Sequence, residues 1–349
     1  MAVDIVFTCG GTGGHVYPVI SLAQKLKNHS FVFFGSKNRQ DSKIIPRYGY
    51  LVEPLPSSSR NVWIILGALW TSWRLLRRYK PQVVVSSGGY HTFPVVLAAK
   101  LLGIPIVLLE QNVLPGRVNR WLSRYADITC VSFAASQRYF GEVSVSVTGN
   151  PVRETYLSDA LATSLESKLP TEGKKILVFG GSQGAQALNE CVESLYSQVL
   201  DSDDVSIVHV TGSQHFIEKY SEVPYKLFDS KYGRTGIVVV PYFENMKLLY
   251  DWADCVVSRA GATTIAELIE YKKTAVLIPY PYAADNHQEL NAKAFEDLKA
   301  GKMLLQKDLT PNSFLSTALD VAELKDARFP ERRAADDVAQ VITQYLNVS

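Results

Sequence analysis

Short, uninterrupted apolar runs alternate with segments of helical periodicity along this chain. Ile5-Val6-Phe7 is the first run, and 31–34, 83–85, 106–109 and 128–131 follow it. Runs that are apolar at every position suit strands buried on both faces, as in a parallel sheet covered by helices. Between the first two, Val19, Leu22, Ala23 and Leu26 fall on one face of a helix. The pattern pauses at Gly149-Asn150-Pro151-Val152-Arg153 and passes through a Ser/Thr-rich stretch to about Gly173. It then restarts at 176–179, 207–210, 237–240, 255–257 and 275–278. This repetition predicts an α/β protein of two doubly wound, Rossmann-like domains facing a cleft. Their expected bounds are 1–153 and 174–330, with a linker over 154–173 and a last helix over about 331–349.

Each half opens with the same grammar: a strand, a glycine-rich turn and a helix. The turns are Gly10-Gly11-Thr12-Gly13-Gly14-His15 and Gly180-Gly181-Ser182-Gln183-Gly184-Ala185. Glycines let backbone N–H groups approach a phosphate, and the helix dipole favours negative charge at that end. A tight turn that only packs well would carry the same residues. A third such junction is Ser258-Arg259-Ala260-Gly261-Ala262-Thr263-Thr264-Ile265-Ala266-Glu267, where the threonines offer hydroxyl and amide groups to a diphosphate. Glu267 lies about a turn inside the helix, where it can take both hydroxyls of a ribose or simply stabilise the helix start. Gln288 and Asn291 share a helical face, suited to sugar hydroxyls or to plain solvation.

Composition narrows the partners. Of 349 residues, 47% are hydrophobic and 20% charged, with a net charge of +2, so no global field calls for nucleic acid. Four scattered cysteines form no C-x-x-C pair, and the Met-Ala-Val-Asp start has no basic region of a signal peptide. A reducing cytoplasm is therefore expected. No Asp-x-Asp metal motif stands out in either domain, so neither a metal nor a cofactor is expected. One segment breaks the soluble pattern: 62–73 is almost wholly apolar, carries Trp63, Ile64, Leu66, Trp70 and Trp73, and runs into Arg74, Arg77, Arg78 and Lys80. It is too short to span a bilayer but suits a helix lying on an anionic surface. A core helix with a solvated basic tail is the alternative. Arg117, Arg120 and Arg124 flank Trp121 in a second basic strip.

Six motifs, in order, carry a family resemblance. They are Gly10–His15, Gly88-Gly89-Tyr90, Glu110-Gln111-Asn112, Gly149–Arg153, Gly180–Ala185, and Arg259-Ala-Gly-Ala with Glu267, Gln288 and Asn291. Together they closely resemble the MurG family of bacterial peripheral-membrane transferases. Those enzymes add N-acetylglucosamine to lipid I, an undecaprenyl-linked acceptor, to make lipid II for peptidoglycan. The resemblance implies the GT-B glycosyltransferase architecture, with a C-terminal helix crossing back to the first domain. It implies UDP-N-acetylglucosamine in the second domain: uracil near Phe243, ribose on Glu267, diphosphate on Ser182 and the 262–264 helix start. Ile265 and Ala266 belong to that donor-binding set, and Gln288 and Asn291 hold the sugar. Thr12, Gly13, Gly14, Asn112 and Arg153 would approach the donor from the first domain. It further implies residence on the cytoplasmic face of the plasma membrane and a role in cell shape and division. Three positions depart from the family: Leu109 stands where histidine is usual, His287 where glutamine is frequent, and Thr92-Phe93 where Ser-Gly precedes the proline.

For the chemistry, His15 is the candidate base that deprotonates the acceptor hydroxyl, and Glu110 is its rival. A transferase of the same fold acting on another lipid or small acceptor is the alternative within enzymes. A non-catalytic UDP-sugar-binding scaffold is the alternative outside them. A dinucleotide oxidoreductase fits worst, because neither turn spells G-x-G-x-x-G with an acidic residue at the expected distance.

Overall fold

The structure, a computed structural model, describes residues 2–56, 62–154, 156, 160–181, 184–202, 204–221, 223–231, 235–331 and 333–346. The chain divides into two compact units, residues 1–155 with 331–349 and residues 156–330. The stretch read from sequence as a linker contains a helix of its own, Ala160–Glu166, in the second unit.

The first unit holds seven parallel strands: β1 (Ile5–Thr8), β2 (Phe31–Ser36), β3 (Val52–Leu55), β4 (Val83–Ser86), β5 (Ile106–Glu110), β6 (Ile128–Val131) and β7 (Val145–Val147). Their order is β3-β2-β1-β4-β5-β6-β7, so the chain reverses its direction of winding between β1 and β4. Thr8 stands opposite Ser86, which sets the turns after these two strands side by side. Successive side chains of β1 point to opposite faces. Ile5 and Phe7 pack with helices Gly13–Lys25 and Ala334–Thr343, and Val6 packs with Val62–Tyr79 and Phe93–Leu101. The terminal helix thus completes the first unit's core through Val338, Val341 and Ile342.

The second unit holds β8 (Lys174–Phe179), β9 (Val205–Val210), β10 (Lys226–Asp229), β11 (Gly236–Val240), β12 (Cys255–Ser258), β13 (Ala275–Leu277) and β14 (Gly301–Met303). The order is β10-β11-β9-β8-β12-β13-β14, parallel except for the antiparallel edge strand β10. Phe179 faces Ser258, so the turn after β8 is level with the segment after β12. Strands β3, β7, β10 and β14, which no apolar run announces, are the four sheet edges.

One polar network is sealed inside the second unit. His209 is fully buried in β9, with Nδ1 2.8 Å from the Tyr196 hydroxyl and Nε2 3.1 Å from Asn189 Oδ1. Asn189 in turn donates to the Thr211 carbonyl at 2.8 Å. Burial pushes the His209 imidazole from 6.5 down to about 3. Between those values an unfolded chain binds a proton that the folded unit refuses, so stability is full above about pH 6.5 and falls as pH drops through this window. The expected slope is up to about 1.4 kcal/mol per pH unit. Urea unfolding of the second unit as a function of pH checks this, and His209→Gln is expected to flatten the slope. An unchanged slope in that variant would assign the acid sensitivity elsewhere.

Candidate active site

In the first unit the expected residues gather at the carboxyl ends of β1, β4 and β5. The Gly13–Lys25 helix starts at Thr12, directly after β1 and its glycine turn. His15 lies in its first turn, half-buried, with Nδ1 2.8 Å from the Ser87 carbonyl. A carbonyl only accepts, so Nδ1 carries a proton, and in the neutral ring the lone pair is on Nε2. Among the described residues nothing bonds to Nε2. The Gln111 side chain donates to the same carbonyl at 3.0 Å, and the Ser87 hydroxyl donates to the His15 carbonyl at 2.7 Å. Gly89 has φ +95°, and a Cβ there would lie 2.9 Å from Gly10 Cα. At this point of approach a side chain at 89 has no room. An imidazole held this way can accept a proton from a ligand.

Glu110, the rival base, is 3% exposed. Its carboxylate accepts from Asn112 N at 2.9 Å, Asn112 Nδ2 at 3.3 Å, Gly116 N at 3.1 Å and Asn119 Nδ2 at 2.9 Å. Four donors use the capacity of a carboxylate. The geometry makes Glu110 the organiser of the 111–119 segment. Arg153 is buried, with its guanidinium 3.7 Å from the Tyr17 ring centroid and 2.8 Å from the Tyr48 hydroxyl. Gly13 N donates to Gln40 Oε1 at 3.0 Å, while Thr12 and Gly14 are exposed.

In the second unit a cavity of about 730 Å³ is lined by Gly180, Gly184, Arg259, Tyr280, Gln288 and Gln306 among others. Gly184 has φ +75°, and any Cβ there would collide with the Thr211 carbonyl. Ser182 lies outside the described residues. Arg259 is buried, donating to the carbonyls of Ile278 and Pro279 at 3.2 Å each and to Gln306 Oε1 at 2.6 Å. Burial holds its guanidinium below the ordinary value, with the nearby Tyr280 opposing. No carboxylate among the described residues pairs with it.

The Ala262–Glu270 helix begins at Gly261, leaving Ala262, Thr263 and Thr264 half-buried at its start. Ile265 is different: its side chain is fully buried and its amide donates to the Gly261 carbonyl at 3.0 Å. The Ile265 amide is thus already used within the helix. Ala266 follows on a half-buried face, and Glu267, buried, accepts from the Tyr250 hydroxyl at 2.8 Å. Phe243 is buried in the segment between β11 and the Met246–Trp252 helix. Gln288 Oε1 accepts from Tyr280 N at 2.9 Å. Asn291 is fully buried and donates to the Ala260 carbonyl at 3.2 Å, which ties its helix to the β12 segment and rules out a solvated polar face.

The apolar segment is partly core and partly open surface. It is the helix Val62–Tyr79, with Ala68, Ser72, Leu75, Leu76 and Tyr79 buried against the sheet. Its first half is open: Trp63 is 80% exposed and Trp70 61%, with Ile64 and Leu66 also exposed. Trp70 stacks on Trp73 at 5.2 Å, Arg77 lies over Trp73 at 4.8 Å, and Arg74 and Arg78 are exposed. Trp121, exposed, packs at 5.1 Å on Phe93, one of the family departures. No helix among the described residues is long and apolar enough to cross a membrane.

Sequence reasoning passed over Arg39, Gln40 and Tyr250, three neighbours of these sites. The Arg39 side chain lies across Gly11. Burial pushes the half-buried His91 below its ordinary value and Arg39 adds to that, with Asp41 opposing. Arg39 and Gln40 belong to a basic-polar run, Lys37-Asn38-Arg39-Gln40, after β2, and that run was the available signal. Tyr250 gave none, since it sits in an ordinary helical pattern.

Comparison with known proteins adds two domain matches: residues 5–131 match the glycosyltransferase family 28 N-terminal domain, and residues 175–345 its C-terminal domain. A protein from Halothermothrix orenii named UDP-N-acetylglucosamine--N-acetylmuramyl-(pentapeptide) pyrophosphoryl-undecaprenol N-acetylglucosamine transferase is 39% identical, covering 87% of this chain and 85% of the relative. A Bacillus cereus protein of that name, numbered 1, is 34% identical over 98% of both chains. The crystal structure of Acinetobacter baumannii MurG superposes with a TM-score of 0.72 at 27% identity, covering 98% of this chain and 99% of that one. Spinosyn forosaminyltransferase SpnP, at 13% identity and a TM-score of 0.67, shares the fold alone.

The contact between the two glycine turns makes a direct prediction. Gly89→Ala must place a Cβ against Gly10 in a left-handed conformation, and is expected to destabilise the first unit by about 1–3 kcal/mol. Chemical denaturation checks it. A change within about 0.5 kcal/mol, the range of neutral surface substitutions, would mean that the turns separate without cost.

Proposed function

The chain belongs to glycosyltransferase family 28, and we propose that it is an inverting hexosyltransferase that moves N-acetylglucosamine from UDP-N-acetylglucosamine to the 4-hydroxyl of the N-acetylmuramyl sugar of lipid I. The product is lipid II, a precursor of peptidoglycan. The observation that carries this reading is the His15 imidazole, fixed by Ser87 with its basic nitrogen Nε2 unused.

The acceptor 4-hydroxyl attacks the anomeric carbon from the face opposite UDP. As the new C–O bond forms, the bond from the anomeric carbon to the diphosphate oxygen breaks and the configuration inverts. The hydroxyl proton passes to His15 Nε2, and the bonding electrons leave with UDP. Charge growing on the departing diphosphate is met by the start of the Ala262–Glu270 helix and by Arg259, which lines the cavity and among the described residues is paired with no carboxylate. Glu267 takes the ribose, the segment at Phe243 the uracil, and Gln288 and Asn291 the sugar side. Glu110 fixes the loop that carries Asn112.

The exposed half of the Val62–Tyr79 helix docks on the anionic, cytoplasmic surface of the plasma membrane, where a lipid-linked acceptor resides. Trp63 and Trp70 supply apolar area at the interface, and Arg74, Arg77 and Arg78 face the headgroups.

Transfer of labelled N-acetylglucosamine to a short-chain lipid I analogue tests the reaction. His15→Ala is expected to lower kcat by about 10²–10⁴-fold while calorimetric binding of UDP-N-acetylglucosamine is unchanged. A His15→Ala enzyme with full kcat would place the base elsewhere, and a parent protein inert toward this acceptor would sink the lipid I assignment. For the membrane surface, sedimentation with phosphatidylglycerol-containing vesicles is expected to fall by about 1 kcal/mol in binding energy for each of Arg74, Arg77 and Arg78 changed to Gln. Binding insensitive to these changes and to Trp63→Ser would assign docking to another face.

A further inference from the structure

Tyr250 occupies a place that packing alone does not explain. It lies in the Met246–Trp252 helix, fully buried, in a ring cluster of the second unit. Phe179 meets it edge-on with centroids 6.1 Å apart, and Tyr271 stacks on it at 5.1 Å and 24°. Tyr271 is itself held through a 2.8 Å hydrogen bond between its hydroxyl and that of Tyr156. Rings packed on both sides leave the Tyr250 hydroxyl a fixed direction, and a buried tyrosine hydroxyl needs a partner. The partner is Glu267 Oε2 at 2.8 Å, on the neighbouring Ala262–Glu270 helix.

We propose that Tyr250 is a positioning residue for the nucleotide's ribose: its hydroxyl orients the Glu267 carboxylate and thereby sets the preference for ribose over 2′-deoxyribose. The proposal rests on the reading that Glu267 takes the ribose hydroxyls. A glutamate has three rotatable side-chain bonds, and a bidentate grip on two vicinal hydroxyls demands one orientation of the carboxylate plane. A carboxylate offers about four acceptor sites, and the phenol uses one of them. Its hydrogen bond therefore fixes the carboxylate plane. Burial pushes the Tyr250 phenol well above its ordinary value and the Glu267 charge adds to that, so the hydroxyl remains a donor at any working pH. Donation to a charged acceptor is the stronger kind of hydrogen bond.

Tyr250→Phe removes only the oxygen and keeps both ring contacts. The readouts are calorimetric binding of UDP and 2′-deoxy-UDP, and the split between kcat and donor KM. The parent is expected to prefer UDP by about 10- to 100-fold, the worth of a hydrogen bond to a charged group. In Tyr250→Phe that preference should drop about fivefold or more, with donor KM rising in step and kcat at saturation within about twofold. Tyr271→Phe, which cuts the Tyr156 bond without touching Glu267, should keep the parent's preference. In a Glu267→Gln background, adding Tyr250→Phe should change the preference no further, because both act through one group. Should thermal unfolding show Tyr250→Phe to be unfolded, Tyr250→His, which can still donate from a ring nitrogen, replaces it and must retain part of the preference. A Tyr250→Phe protein with the parent's full ribose preference overturns the proposal. A parent that binds UDP and 2′-deoxy-UDP equally overturns the ribose role of Glu267 itself, and the two failures are thus told apart.

Discussion

A single backbone carbonyl, that of Ser87, fastens the first unit's chemistry together. It accepts from His15 Nδ1 at 2.8 Å and from Gln111 Nε2 at 3.0 Å, and the Ser87 hydroxyl returns a bond of 2.7 Å to the His15 carbonyl. His15 follows β1, Ser87 follows β4 and Gln111 follows β5, so one residue joins three neighbouring strand ends. A carbonyl has two lone pairs, and both are engaged. The consequence is chemical as well as mechanical. A free imidazole chooses between tautomers and rotates, whereas this one has its proton placed and its basic nitrogen aimed. The glycines at 10 and 89 serve the same end, because the close approach of their turns lets Ser87 reach the histidine.

The second unit solves the same problem with side chains bridging between elements. Arg259 binds the carbonyls that end β13 and the Gln306 side chain, Asn291 binds the Ala260 carbonyl, and Gln288 binds the Tyr280 amide. Each is a long polar side chain closing a gap between a strand end and a following loop. Parallel sheets leave such gaps by construction, since every strand ends on the same side and the connections must leave over it. Binding groups and loop-fixing groups therefore come from the same short segments. This explains why single residues there have both an internal partner and an open edge.

Much of this was legible in the sequence, and the part that was not fails for physical reasons. Each central strand carries an apolar run, interrupted only by Thr129 in β6 and His209 in β9, while β3, β7, β10 and β14 do not, because an edge strand is buried on fewer sides and tolerates Glu53, Lys226 or Lys302. The glycine turns were legible because positive φ and close backbone contact leave glycine little competition. For Asn291 the pattern left sugar binding and plain solvation both open: helical periodicity reports which residues share a face, not what covers it. Tyr250 was invisible, since a tyrosine in an amphipathic helix reads as core until its hydroxyl is given a partner. The departure at Leu109 has an explanation no pattern could supply. Its side chain is in the apolar core, and its carbonyl, which any residue has, accepts from Asn119 Nδ2 at 3.0 Å.

Two buried charges with opposite surroundings separate framework from ligand site. Glu110 is surrounded by four donors from its own loop, two of them backbone amides, and is satisfied without any ligand. Among the described residues Arg259 bonds uncharged oxygens alone: two carbonyls and an amide. Glu190, a carboxylate on the same cavity, is exposed and accepts from Gln186 at 2.8 Å. Neutral acceptors satisfy the N–H groups of a guanidinium but leave its field uncancelled, and a buried cation without a counter-charge is costly. That cost is offset when an anion enters the cavity the cation lines. The offset grows as negative charge accumulates on that anion, which is what happens to a diphosphate as its bond to a sugar breaks. The same residue can therefore weigh more in the transition state than in the resting complex, and that difference, not tightness of binding, accelerates a transfer.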